Sequence, residues 1–285
     1  MTMSRMVALA AVLVSLLTVV HAGEIDTEHL FGFAIGTDVG EVGEKEIEGR
    51  TVGRFGKRTG SYVAWSHMLE AEFTPLENFR LSVGSSLAHH NIVGVTGLDD
   101  RRRGGFEAVS LDMRYRLLDR TRSAFGLAVG AEPRWGRIDA TSGEPVDQYG
   151  IDLAVALDKE LVPNRVVIAF NLLYEAEVAR SRETGLWSRE ANIGVATALM
   201  TRVTPGVFVG AEARYLRAYE GLGLSAFEGH ALFVGPTLFA KLSATWWIAA
   251  SWSVQVAGRA ADNPAWLDLT NFERHQAMFR FGFTY

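Results

Sequence analysis

Phe279-Arg280-Phe281-Gly282-Phe283-Thr284-Tyr285 closes the chain and alternates aromatic with non-aromatic residues. In an extended strand successive side chains point to opposite faces. Phe279, Phe281, Phe283 and Tyr285 therefore share one face, and Arg280, Gly282 and Thr284 the other. Four aromatics on one strand face need an apolar surrounding along the whole strand. Lipid around a closed β-barrel supplies it without a second layer of protein. The stretch predicts a membrane-spanning strand whose inward face carries one arginine.

The other end of the chain agrees with export. Met1 to Ala22 has one basic residue, Arg5, then an apolar run from Val7 to Val20, and finishes on Val20-His21-Ala22. This is the pattern of a secretory signal peptide cut near Gly23; its apolar run of about 14 residues is short of the roughly 20 that a spanning helix needs. Residues 23–285 then form one domain. Charges recur too often there for a transmembrane helix, so a membrane-integral chain has to be a closed barrel, in which ladder hydrogen bonds satisfy the backbone. The chain has no cysteine, hence no disulfide framework and no thiol chemistry. The formal net charge of −5, or about −6 without Arg5, argues against a nucleic-acid partner.

Alternation at period two recurs through the mature region and predicts about twelve strands, at 29–39, 60–73, 78–90, 105–117, 123–136, 148–158, 165–179, 189–202, 207–217, 230–242, 245–257 and 272–285. In the fourth, Val109, Leu111, Met113, Tyr115 and Leu117 oppose Ser110, Asp112, Arg114 and Arg116. In the seventh, Val166, Ile168, Phe170, Leu172 and Tyr174 oppose Asn171, Glu175 and Glu177. Tight connections, such as 74–77 and 203–206, alternate with longer and more charged ones, such as 40–59 and 91–104. The fold class is all-β: an antiparallel transmembrane β-barrel of even strand number, with short periplasmic turns and longer extracellular loops. Pro133 and Pro236 fall inside predicted strands and predict a bulge or a strand end at each. A periplasmic β-sandwich also alternates, but with shorter strands and a less charged polar face.

The leader and the terminal aromatic strand resemble those of Gram-negative outer-membrane β-barrel proteins, in which the last strand is read by the barrel-insertion machinery. The resemblance implies a location in the cell outer membrane. It also implies outer-membrane lipid, lipopolysaccharide and the insertion machinery as partners. In size and layout the chain is also similar to the outer-membrane transporters linked to phenol meta-pathway degradation, a resemblance that carries over no functional residue.

The inward face gathers the candidate functional residues: Glu70, Glu72, Arg80, Asp112, Arg114, Arg116, Glu132, Arg134, Asp152, Glu175, Glu177, Glu190, Glu212, Arg214, Lys241 and Arg280. Charged rings in a pore select solutes. The same mixture of signs can instead pair internally and brace a narrow barrel. Eight strands are filled by side chains and sixteen leave a channel, so twelve admits both readings. Inward glycines (Gly126, Gly130, Gly150, Gly194, Gly210 and Gly282) leave room for a passage or for tight curvature.

Three further patterns involve histidines or clustered charges. His89-His90 near Asp99-Asp100 looks like the carboxylate–histidine arrangement of omptin proteases, yet adjacent strand residues face opposite ways and omptins have fewer strands. His67 lies mid-strand on the lipid side, where a twelve-strand phospholipase would carry its site, but no serine motif accompanies it. Neither pattern calls for a catalytic residue, a metal or a cofactor. Asp99-Asp100-Arg101-Arg102-Arg103 is a charged outer segment, either solvated or set to clamp lipopolysaccharide phosphates, with Arg50, Arg54, Lys57 and Arg58 adding a basic rim.

These features imply passive passage of a small solute through the lumen. The alternatives are a non-conducting structural or surface-interaction barrel and an outer-membrane hydrolase.

Overall fold

The computed structural model describes residues 25–285; the signal peptide expected at 1–22 lies outside them. Twelve strands follow in order: β1 (Lys45–Phe55), β2 (Ser61–Leu76), β3 (Phe79–Val93), β4 (Arg101–Leu118), β5 (Gly126–Ile138), β6 (Pro145–Val162), β7 (Val166–Ser181), β8 (Trp187–Thr204), β9 (Val207–Glu220), β10 (Ala226–Lys241), β11 (Trp246–Ala260) and β12 (His275–Thr284). Each pairs antiparallel with its sequence neighbours, and β12 pairs with β1, so the sheet closes on itself without a free edge.

The alternation sorts the side chains as expected. On β7, Phe170 and Leu172 are exposed outward while Asn171 between them is fully buried. On β12, Phe279 and Phe281 are exposed and Gly282 is buried, and Tyr285 just beyond it is exposed. Exposed Phe73, Phe125 and Trp246 lie near the periplasmic ends, and Tyr149 and Trp187 near the outer ends, as two interfacial belts. The periplasmic turns use residues that tolerate left-handed backbone: Asn78 and Asn164 have φ of 65° and 57°, and Gly206 after Pro205 has φ of 78°.

Strands β4, β6 and β8 each run 18 residues, beyond the roughly 9–11 a tilted strand needs to span a bilayer. They rise out of the membrane, so the outer connections shorten to 56–60, 94–100, 139–144, 182–186 and 221–225, and the long one is 261–274.

The first strand is not at 29–39. That stretch is irregular, the chain from Ile25 to Gly40 occupies the periplasmic half of the lumen, residues 41–44 form a largely exposed turn, and β1 starts at Lys45. The physical reason is that Leu30, Phe31 and Ala34 find an apolar cluster inside the barrel, while the wall's side chains bond the segment's backbone. The seam therefore closes between β12 and residues 45–55, with Gly49 opposite Phe281 and Arg50 opposite Arg280. Glu46, Glu48, Arg50 and Arg54, expected in a long outer loop, belong to β1.

Pro133 and Pro236 lie neither at strand ends nor at bulges. Each keeps its partner on one neighbouring strand, Ile151 and Ala211 respectively, and interrupts the ladder on the other side. The missing N–H costs one edge of pairing and leaves the register intact.

Candidate functional site

The segment 25–40 is held like a short strand whose partners are side chains, and backbone bonds between Gly43, Glu44 and Thr74 then lead it into β1. Ile25, Leu30, Phe31 and Ala34 pack against Val167 and Ala169 of β7, Ala198 and Met200 of β8 and Phe208 of β9. Each large apolar side chain buried this way contributes roughly 1.5–3 kcal/mol. Glu212 on β9 accepts from the backbone N–H groups of Gly32 (2.5 Å), Phe33 (2.7 Å) and Ala34 (3.3 Å). Asn171 on β7 accepts from Ile35 N and donates to Ile35 O, both at 2.8 Å. Asp158 on β6 accepts from the hydroxyls of Thr27 (2.6 Å) and Thr37 (2.8 Å). Buried backbone groups must be paired, and here these inward polar residues pair them. Arg214 adds its guanidinium over the Phe33 ring at 3.7 Å and hydrogen-bonds Gln276.

Two inward glycines make room for occupants and not for a passage. A Cβ on Gly126 would stand 3.1 Å from the Thr37 Cβ, and one on Gly282 would enter the Trp247 indole. That indole stacks on His29 of the plug, centroid to centroid 4.3 Å. Burial drives the His29 imidazole down to about 3, so it is uncharged near neutral pH.

Near the periplasmic ends of β1–β4 and β12, the expected charges form a buried network. Arg80 reaches Glu72 (2.9 Å), Glu28 of the plug (3.1 Å) and Asp112 (3.2 Å). Glu70 pairs with Arg50 at 3.2 Å, Arg114 faces Arg80 across the ladder, and Arg116 bonds Asn78 (2.9 Å) and Asp38 of the plug (3.4 Å). Arg280 grips Glu48 at 2.6 Å. These residues brace the barrel and seat the plug.

The acidic residues of β5–β8 stand apart from that network. Glu132, Asp152 and Glu175 are neighbours across the β5–β6 and β6–β7 ladders, and Glu177 lies opposite Glu190. Arg134 contacts Asp152 (2.6 Å) and Glu177 (3.3 Å). This wall is partly solvent-exposed and strongly acidic. Lys241, at the periplasmic end of β10, is exposed and joins neither group.

The outer mouth is narrowed by folded-in connections. Gln255 donates to the carbonyls of Asp268 (3.0 Å) and Glu273 (3.3 Å), and Phe272 packs on Phe233. Lys57 and Arg58, expected on a basic rim, donate instead to the carbonyls of Thr270 (3.0 Å) and Leu267 (2.7 Å). His90 enters the lumen and hydrogen-bonds Ala140 O at 3.1 Å, whereas His67 and His89 are exposed on the opposite side of the wall. Arg101 is engaged by Glu183 at 2.8 and 3.1 Å; Arg102 and Arg103 are exposed.

The sequence reading missed Glu28, His29, Glu46, Glu48 and Asp158. Glu46, Glu48, Arg50 and Arg54 sit at even positions, a period-two signal that could have revealed β1. The plug residues carry the same period-two pattern, which is why 29–39 reads as a strand.

The barrel is similar to solved outer-membrane structures. The COG4313 outer membrane channel from Pseudomonas putida F1 superposes over 92% of this chain and 100% of that chain, at 13% identity and a TM-score of 0.60. The NanC porin covers 84% of this chain and 98% of its own, at 10% identity and a TM-score of 0.49. At these identities the likeness is one of fold. No curated protein matches the chain by sequence. The family match spans residues 23–285, and the chain belongs to the family of unknown function DUF6662.

Proposed function

We propose that the protein is an outer-membrane channel for passive movement of small solutes, with residues 25–40 as a resident plug in its periplasmic half. One observation carries this reading: the plug's hydrogen bonds to the wall go to side chains such as Glu212, Asn171 and Asp158. It can leave without breaking any strand pairing. Beyond it lies the acidic wall of Glu132, Asp152, Glu175, Glu177 and Glu190, which favours cationic or neutral polar solutes over anions.

In this reading the leader at 1–22 is removed on export, and β12 is the strand offered to the insertion machinery. Arg102 and Arg103 meet lipopolysaccharide phosphates. The wall separates His90 from His67 and His89, and His90 is hydrogen-bonded to the Ala140 carbonyl, which speaks for the channel over a hydrolase.

The depth of plug burial favours a second reading, a barrel that never conducts. A disulfide separates the two. The chain has no cysteine, and the Cβ positions of residues 37 and 126 are 3.1 Å apart, within a small adjustment of the roughly 3.5–4.5 Å a disulfide needs. Thr37→Cys/Gly126→Cys protein in a planar bilayer should be silent when oxidised and conduct after reduction. Silence in both states, with wild type also silent, leaves the non-conducting barrel.

A further inference from the structure

We infer that His29, Glu46 and Glu72 bind one divalent transition-metal ion, with zinc as its representative, and that the ion ties the plug to the first hairpin of the barrel. The site goes beyond the channel reading and does not depend on conduction.

The donors come from three elements: the plug, β1 and β2. His29, Glu46, Glu48 and Glu72 are all buried, and each presents a ligand atom within 4.8 Å of the others. Donors about 2.0–2.2 Å from a central ion stand at most about 4.4 Å apart, so small side-chain rotations close the set. His29 Nε2 and Glu46 Oε1 are already 3.2 Å apart, a spacing usual for two ligands of one ion.

The second observation is an orphaned atom. Glu46 is 4% exposed. Its Oε2 accepts from Trp247 Nε1 (3.1 Å) and the Thr284 hydroxyl (2.8 Å), but its Oε1, aimed at His29, has no hydrogen-bond partner. A buried carboxylate oxygen without a donor is costly, and a cation removes that cost. A small cavity with room for about one water-sized sphere is lined by His29, Glu46 and Glu72 beside it, enough for a fourth ligand from water.

Charge points the same way. Glu28, Glu72 and Asp112 share Arg80 and Glu48 pairs with Arg280, while Glu46 has its ion-pair contact with His29. Even with Arg114 counted, five carboxyl groups face three guanidinium groups. The shortfall is the charge of one divalent ion. An imidazole with carboxylates suits zinc and its first-row neighbours better than calcium or magnesium, which take oxygen ligands. Glu48 Oε2 lies 3.6 Å from His29 Nδ1. With Nε2 on the metal, Nδ1–H would donate to Glu48 and fix the ring, and Arg280 Nη2, now 3.3 Å from Nδ1, would keep only its bond to Glu48. Arg80 holds Glu72 from the other side.

The test uses full-length protein purified from outer membranes in detergent, stripped with chelator and titrated with zinc sulfate. About one zinc per chain is expected, and cobalt(II) in its place should give the visible absorption of a coordinated, dehydrated ion. His29→Ala and Glu46→Gln should weaken zinc affinity more than about tenfold, while Glu183→Gln on the surface leaves it unchanged. Equal zinc uptake by wild type and His29→Ala overturns the site, as does a cobalt spectrum identical to that of the hydrated ion. The cobalt spectrum of wild type stands even if a variant fails to fold. Because the readout is metal and not current, its failure leaves the channel reading in place, and the reverse.

Discussion

Arg280 on the last strand grips Glu48 on the first, Nε to Oε1 at 2.7 Å and Nη2 to Oε2 at 2.6 Å, a two-point pair across the seam that closes the barrel. The same guanidinium donates to the Phe31 carbonyl of the plug at 3.3 Å. Barrel closure and plug seating thus share one side chain.

Arg280→Met leaves the Glu48 carboxylate, 2% exposed, without its cation. Removing one partner of a buried pair costs about 3–5 kcal/mol. Urea unfolding in detergent should show a loss of that size. The double variant with Glu48→Gln should recover part of it, because no unpaired charge then remains.

Glu212→Ala removes the acceptor for three plug N–H groups. Hydrogen bonds to a charged group contribute about 1.5–3 kcal/mol each, and the three share one carboxylate, so plug docking should weaken by roughly 3 kcal/mol. Hydrogen exchange should speed up over residues 30–36 and stay slow in the strands. Unchanged protection at 30–36 would show that apolar packing alone seats the segment.

Gly126→Val puts a side chain where Thr37 now sits. Valine suits a strand, and on the wall side only the Asp158 carboxylate, 2.5 Å from the new Cβ, has to turn aside, so the ladder should form as before. The plug should not: proteolysis near residues 25–40 should become faster, and current through the barrel should rise.

Asp152→Asn with Glu175→Gln removes two charges from the acidic wall without touching the plug's contacts. In a salt gradient the reversal potential should move toward zero, marking weaker preference for cations. A preference carried by Arg134 would move it the other way.

Much of the architecture was legible because one physical rule governs it. A strand between lipid and lumen must alternate, so Phe170 and Asn171, or Phe281 and Gly282, could be assigned to their faces from parity alone. The same rule put Arg80, Glu72 and Asp112 on one inward face, where they meet. It failed at 29–39, where an extended segment with apolar residues can line a wall or fill a lumen. Parity does not record which.

The sequence alone pointed to an antiparallel barrel of about twelve strands with an aromatic exterior, because a strand between lipid and lumen must alternate; alternation puts its first strand at 29–39, whereas the structure has it at Lys45–Phe55. Tertiary structure alone decided that residues 25–40 lie inside, that Gly126 and Gly282 are filled, and that His29 meets Glu46 and Glu72. Those outcomes depend on which groups are left without partners once the wall is built. Glu212, Asn171 and Asp158 come from strands far from the plug in sequence, and only closure of the barrel brings them round one segment.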